Sequence, residues 1–248
     1  MATPEQLAEN TAVYLLPQPS FETVVTDDYT YIAGPHNAWV LAIREPNVDW
    51  TREESRRRGI PLVEWWVGWS APPSLADELL GHGLVPDDEP VLTGMTSATE
   101  PPAAPHVEVR AIETAAQYLE AIEVDWDVWE TSEDERVKRR ASEVDRFEKG
   151  HAAGTAHHWA AFEHGRAVGF GRGVDMDGGV ALMGGAVRPE SRGRGVYRAL
   201  VHARWEHAVA RGTPLLVVQA GPMSAPVLDG LGFERHGQIR LFADRLSP

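Results

Sequence analysis

Hydrophobic residues along this chain keep two rhythms, one of period two and one of three to four, and the switches between them predict the elements. In residues 1–100, alternating runs of β-branched and aromatic residues predict strands. There are two arms over 21–34 joined by a turn at Asp27-Asp28, a short buried run at 38–43, the stretch 62–67 (Leu-Val-Glu-Trp-Trp-Val) and a last run at 91–95. A polar helix is predicted over 49–58, closing on Gly59. Another runs from a cap at Ser70 to Gly81, with Pro72 and Pro73 in its first turn. Residues 1–20 read as a lead-in helix and a linker broken by prolines.

Residues 96–106 carry Pro101, Pro102 and Pro105 among Thr, Ala and Ser, which predicts a boundary between domains at 1–100 and 107–248. Beyond it, strands are predicted at 107–110, 158–163, 166–175, 180–187 and 215–220, with a final pair over 233–243. Helices are predicted at 113–129 with a cap at Thr114, at 131–149 started by Thr131 or Ser132, at 195–211 ended by Gly212, and at 224–230. The fold class that follows is α/β (α+β), a mixed sheet with helices packed on it.

The two halves echo one another. Arg58-Gly-Ile-Pro-Leu62 returns as Arg211-Gly-Thr-Pro-Leu215, and Ser70-Ala-Pro72 as Ser224-Ala-Pro226. The shared order predicts a duplicated fold. The second half alone has a Gly- and Arg-rich turn before its helix; the first has Pro46-Asn-Val-Asp-Trp50 there.

Composition narrows the function classes. Cysteine is absent, which excludes disulfides, thiolate metal sites and a cysteine nucleophile. The formal net charge of -14 opposes binding to nucleic acid. Residues 1–10 lack a basic start and the apolar run at 12–16 is too short for a signal peptide or membrane span, so a cytoplasmic protein with no membrane partner is expected. His157-His158, and His202 with His207, lack ligand spacing, so no metal is expected. Trp65, Trp66 and Trp69 read as core or interface residues, and Gly169, Gly171 and Gly173 as packing positions on a strand.

The chemistry gathers at 180–233. An apolar strand interrupted by Gly184 and Gly185 leads through Arg192-Gly-Arg-Gly-Val-Tyr197 into a helix. Gly193 and Gly195 permit a tight turn whose N–H groups converge on an anion, and the helix adds the positive end of its dipole. Arg192 and Arg194 add charge-assisted contacts to phosphate. The dinucleotide fingerprint fails at Arg198, and no Gly-Lys-Ser/Thr ending makes a P-loop.

This turn resembles the Arg/Gln-x-x-Gly-x-Gly/Ala signature of the GNAT N-acetyltransferase superfamily, and 224–233, a short helix ending in Leu-Gly-Phe, resembles that family's second motif. The resemblance covers 107–248 and, as a degenerate copy, 21–95. It implies two mixed sheets with flanking helices, acetyl-CoA as cosubstrate, and direct transfer to a primary amine on a small molecule or peptide. Ala186 and Val187 match the strand backbone that pairs with pantetheine; Arg192, Gly193, Arg194, Gly195, Val196 and Tyr197 match the pyrophosphate turn. Tyr197 replaces the usual Gly or Ala, so its ring has to pack away from the phosphates.

The groups that move protons are less evident. The family's second-motif tyrosine falls at Leu228, which leaves the role to Ser224, Tyr197 or water; Ser224 also stands where a helix N-cap belongs. Residues 180–187 hold no carboxylate, and Asp175 and Asp177 read as turn residues. Glu120, Glu123, Asp125, Asp127 and Glu130 cluster with Trp126 and Trp129, without Lys or Arg over 113–135. That acidic aromatic wall suits a cationic amine, with Glu123 as candidate catalytic carboxylate, although the same residues fit a solvated helix face. A non-catalytic acyl-CoA-binding or regulatory module is the alternative, and acyl groups other than acetyl stay open.

Overall fold

A computed structural model describes residues 2–87 and 91–246; Met1 and Pro248, the outer ends of the expected domains, lie outside them. The first half runs α1 (Pro4–Glu9), β1 (Glu22–Val25), β2 (Thr30–Ala33), β3 (Ala38–Leu41), α2 (Val48–Arg57), β4 (Leu62–Val67), α3 (Leu75–Gly81), β5 (Val85–Pro86) and β6 (Leu92–Ser97). The second runs β7 (Glu108–Ala111), α4 (Ala115–Val128), α5 (Glu133–Ala153), β8 (Ala156–Glu163), β9 (Arg166–Met176), β10 (Gly179–Val187), α6 (Val196–Ala210), β11 (Leu216–Ala220), α7 (Ala225–Asp229) and β12 (Glu234–Arg245).

Local chemistry fixes the helix ends. Thr3 and Gln6 form a capping box on α1, as Thr114 and Gln117 do on α4. Ser132, not Thr131, caps α5, with Glu133, Asp134 and Glu135 in the first turn where the dipole favours them. Gly154, at φ 64°, ends that helix in the left-handed conformation that glycine adopts without strain. Among the described residues no helix is long and apolar enough to cross a membrane.

The strands follow the order β1-β2-β3-β4-β12-β6-β11-β10-β9-β8-β7, with β5 beside β12. The repeat is visible in this order. In each half a parallel pair is joined by a crossover helix: β3 and β4 through α2, β10 and β11 through α6. A short helix then leads on to the closing strands. The expected final pair of strands over 233–243 is instead one strand. Its first part, Glu234 to Ile239, pairs with β6, and its second, Arg240 to Arg245, pairs with β4. A bulge between Arg235 and Gly237 increases the twist and turns the strand from one sheet to the other.

The halves therefore exchange strands. β6 precedes the linker, yet it lies between β11 and β12 of the second sheet. β12 in turn lies between β4 and β5 of the first. Trp69 packs over Gly94 of β6 and Gly237 of β12, side by side, where an added Cβ would collide with its indole. Helix α1 seals the junction, with Leu7 and Ala8 against Met176, Ala181 and Val217.

The first half has a dense aromatic core of Tyr29, Tyr31, Trp65 and Phe242 with Trp50 packed against it. Trp65 is completely buried, so truncation there would cost on the order of 3–5 kcal/mol. The second sheet has cores on both faces: Tyr118, Ile122, Trp126, Phe147 and Phe170 under α4 and α5, and Leu182, Val201, Trp205, Val218 and Leu228 under α6 and α7. Gly169 and Gly173 belong to the α6 face, where Val196 and Trp159 fill the space a side chain would need.

Candidate functional site

The site begins where β10 and β11 part. The strands pair at Val180↔Leu216 and Ala181↔Val217, whereas β10 stays on β9 as far as Val187. From Leu182 onward the edge of β10 that faces β11 has no strand partner among the described residues. Its register on β9 jumps from Leu182↔Gly173 to Gly185↔Gly171. The bulge turns on Gly184 at φ 116°, which an L side chain rarely adopts. Gly184 and Gly185 are exposed, and an extended ligand could add to this edge as a strand does.

Arg204 of α6 fixes the bulge from behind. It is 1% exposed. Its Nη1 donates to Gly184 O at 3.1 Å and to Arg172 O at 3.3 Å, clamping both strands, and its Nε donates to Leu200 O at 2.9 Å. Gly171 makes room: a Cβ there would lie 3.3 Å from the guanidinium carbon. This role was not legible along the chain, because it depends on a bulge and on a glycine in another strand.

The turn after β10 carries the groups expected to meet an anion. Gly193 and Gly195 have φ of 73° and 83°. The N–H of Ala199 bonds to Gly195 O at 2.9 Å, whereas those of residues 193–198 have no acceptor among the described residues. Arg192 is exposed, and its Nε donates to Val187 O at 3.2 Å, tying the turn to the end of β10. Arg198 has a buried Nε without a partner, and a Cβ on Gly195 would lie 3.2 Å from its Nη2. Arg194 pairs with Glu163 at 3.3 Å, and its carbonyl meets His106 Nε2 at 3.1 Å. The linker thus folds over the turn. Val196 is buried at 1% exposure, and Ala186 at 3% faces the α4 core.

Tyr197 packs its ring against the α6–α7 core and over Gly185, where an added Cβ would meet Cε2 at 3.0 Å. Burial raises the pKa of its phenol. Tyrosine in the signature is thus accommodated by glycine on β10, and the backbone of the turn stays clear.

Comparisons with known proteins place this geometry. Residues 119–222 match the model of the Acetyltransferase (GNAT) family. Residues 119–222 thus carry a domain of the GNAT family. A tandem GNAT protein from the clavulanic acid biosynthesis pathway aligns over 100% of this chain and 89% of its own, with TM-score 0.64 and 16% identity. A GCN5-related N-acetyltransferase from Kribbella flavida aligns over 98% and 96%, with TM-score 0.70 and 16% identity. One from Sphaerobacter thermophilus aligns over 91% and 82%, with TM-score 0.60 and 16% identity. These identities speak for the fold alone, and they extend it over both halves. A search of the curated proteins finds no match.

The first GNAT-like half treats the equivalent helix start differently. Asn47 caps α2, its Oδ1 accepting from Trp50 N at 3.1 Å. Trp50 turns inward against Tyr29 and Tyr31, at centroid distances of 5.9 and 5.5 Å. A side chain already occupies the place an anion would take.

Two of the five carboxylates of the acidic wall are paired with arginines. Glu123 accepts from Arg136 at 2.8 Å and Arg140 at 2.9 Å, and Asp127 pairs with Arg136 and Arg188. Arg136 and Arg140 also lie over the Trp126 ring, at 6.0 and 5.6 Å. The stretch free of basic residues in sequence is covered by arginines of the next helix, which a linear count cannot see. Glu120, Asp125 and Glu130 have no ion pair among the described residues, and burial raises the pKa of Asp125. Ser224 stands at the start of α7 without capping it; its hydroxyl donates to Gly221 O at 3.2 Å. Leu228 is fully buried.

Asp175 is no turn residue. It is 3% exposed within β9 and accepts from His157 Nε2 at 3.1 Å and His207 Nε2 at 2.9 Å. These three groups are close enough to hold a cation between them. Arg211 Nε, 3.0 Å from the carboxylate, already supplies positive charge there. A cavity of about 420 Å³ lies alongside, lined by His157, Trp159 and His207.

Proposed function

We propose that this chain is an N-acetyltransferase moving an acetyl group from acetyl-CoA to a primary amine by direct transfer. The 107–248 half would bind the cosubstrate and the 1–100 half would brace it and wall the acceptor cleft. One observation carries the reading: the opened edge of β10 runs directly into a turn whose N–H groups have no acceptor. Backbone groups of Gly193, Arg194, Gly195, Val196 and Tyr197, with Arg192 and Arg198, suit a pyrophosphate. The edge at Ala186 and Val187 suits an extended pantetheine arm. Acetyl-CoA would supply a thioester-activated acetyl group whose thiol leaves as the amide forms.

The protein's contribution is mainly positioning, which can supply much of such a barrier. Leu228 offers no proton to a leaving thiolate, and Glu123 is tied to two arginines. Solvent would therefore exchange the protons. Leu228 also favours the second reading, a non-catalytic acyl-CoA-binding module.

Thiol release across a panel of amines, paired with calorimetric titration of acetyl-CoA, separates these readings. Turnover on any amine supports the enzyme; tight binding with none supports the module. Arg192→Ala and Gly195→Glu should each weaken binding about ten-fold or more, the size of one lost charge-assisted contact or a strained turn. Unchanged affinity in both would remove the cradle.

A further inference from the structure

Arg172 of β9 is a cation with no ion pair of its own among the described residues, the charge of Glu143 acting on it without direct contact. Its cross-strand partner is His158, and directly opposed residues of an antiparallel pair face the same side. That side is covered by α4 and α5: the His158 ring lies 4.9 Å from Tyr118 and 5.4 Å from Phe147. The nearby carboxylate of Glu143 is already in use, accepting from Tyr118 Oη at 2.7 Å and from Arg146. The Arg172 side chain has no hydrogen bond or ion pair among the described residues, and its Nε is shut off from solvent with no acceptor. His158 Nδ1 beside it is equally unpartnered. Burial, and then the charge of Arg146, pull the Arg172 pKa down to about 10.

A half-buried guanidinium whose Nε is shut off from solvent without an acceptor destabilises the fold, and it stays protonated near neutral pH. A group kept at that cost is explained by a ligand that supplies the anion. The location fits an acceptor. The register of β9 on β10 skips at Arg172, which lies opposite Met183 and Gly184 of the bulge. Its backbone carbonyl is held there by Arg204. Arg172 thus lies on the face roofed by α4 and α5, one strand away from the opened edge of β10.

We propose that Arg172 receives a carboxylate of the acceptor, so that the acceptor is an amine of the amino-acid class and not a purely cationic amine. This rests on the acetyltransferase reading for its chemistry, though the anion site stands on Arg172 alone. A planar carboxylate matches the guanidinium fork, and the neutral His158 ring offers a further hydrogen bond without charge.

The test uses the full chain, wild type and Arg172→Met, in thermal denaturation with acetate, malonate, and L-amino acids paired with their carboxamides. Without ligand, Arg172→Met should raise the unfolding midpoint, because it removes an uncompensated charge. Carboxylates should raise the wild-type midpoint more than carboxamides do, and should leave Arg172→Met unmoved. Arg172→Lys, which keeps the charge and loses the fork, should keep the wild-type baseline and lose most of the carboxylate response. In turnover with acetyl-CoA, kcat/KM for the carboxylate member of a pair should fall about ten-fold or more in both variants, with the carboxamide member unchanged. A lowered midpoint in Arg172→Met, or equal responses to carboxylate and carboxamide in wild type, would overturn the proposal. If acetyl-CoA does not bind at all, the acetyltransferase reading fails while the thermal series still decides the anion site.

Discussion

His157 on β8 and His207 on α6 meet across Asp175, their ring centroids 4.0 Å apart. Each donates Nε2–H to a different oxygen of that carboxylate, and Arg211 completes its surroundings. The cluster bonds the C-terminal part of α6 to two strands.

Asp175→Asn should therefore destabilise the protein by about 3 kcal/mol, the usual consequence of breaking a buried charge cluster. Burial alone would raise the Asp175 pKa, but hydrogen bonds from His157 and His207 and the Arg211 charge bring it from 3.8 to about 2. A depressed carboxylate stabilises above its unfolded pKa and loses that contribution as pH falls through its folded one. Urea denaturation should show wild type losing stability between about pH 4 and 2, with a smaller loss in the variant; parallel curves would refute the assignment.

His158 acts in the same direction over a higher pH range. Burial first, and then the charges of Arg172 and Arg146, lower its pKa from 6.5 to about 2. Below pH 6.5 the unfolded chain gains a proton that the folded one does not, so stability falls as the solution is acidified. His158→Gln should flatten urea stability between about pH 6.5 and 4.5, and a slope equal to wild type would show that His158 titrates when folded.

Gly185 and Tyr197 should behave as one unit. Gly185→Ala pushes a methyl to 3.0 Å from the Tyr197 ring and should weaken acetyl-CoA binding by displacing the helix start. Tyr197→Ala in the same chain should restore most of that affinity, with a coupling of about 1 kcal/mol or more. Additive effects in a calorimetric double-mutant cycle would separate the two residues.

The exchange of β6 and β12 makes the halves mutually dependent. A chain of residues 107–248 lacks the strand between β11 and β12, and one of 1–100 lacks the strand between β4 and β5. Neither should unfold cooperatively by circular dichroism, whereas the two co-expressed should assemble. A sharp transition in isolated 107–248 would show that β6 is dispensable.

Much of the fold was legible along the chain because it rests on near neighbours. Alternation placed the strands, capping residues placed α4 and α5, and Gly193 with Gly195 announced a tight turn before α6. The echo of Arg58-Gly-Ile-Pro-Leu62 in Arg211-Gly-Thr-Pro-Leu215 announced the tandem fold. What depended on partners distant in sequence was not legible. A linear count of charge over 113–135 made an acidic wall, and Arg136 and Arg140 cancelled part of it from the next helix. Asp175 lay near a turn in sequence and became the centre of a buried cluster, since β8 and α6 brought two histidines to it. Composition at 96–106 suggested a boundary, but pairing carried β6 across that point and divided β12 between two sheets. Periodicity and caps are properties of adjacent residues, so the sequence determines them directly. Which charge meets which, and which guanidinium is left without one, is decided when the sheet brings separate strands into register.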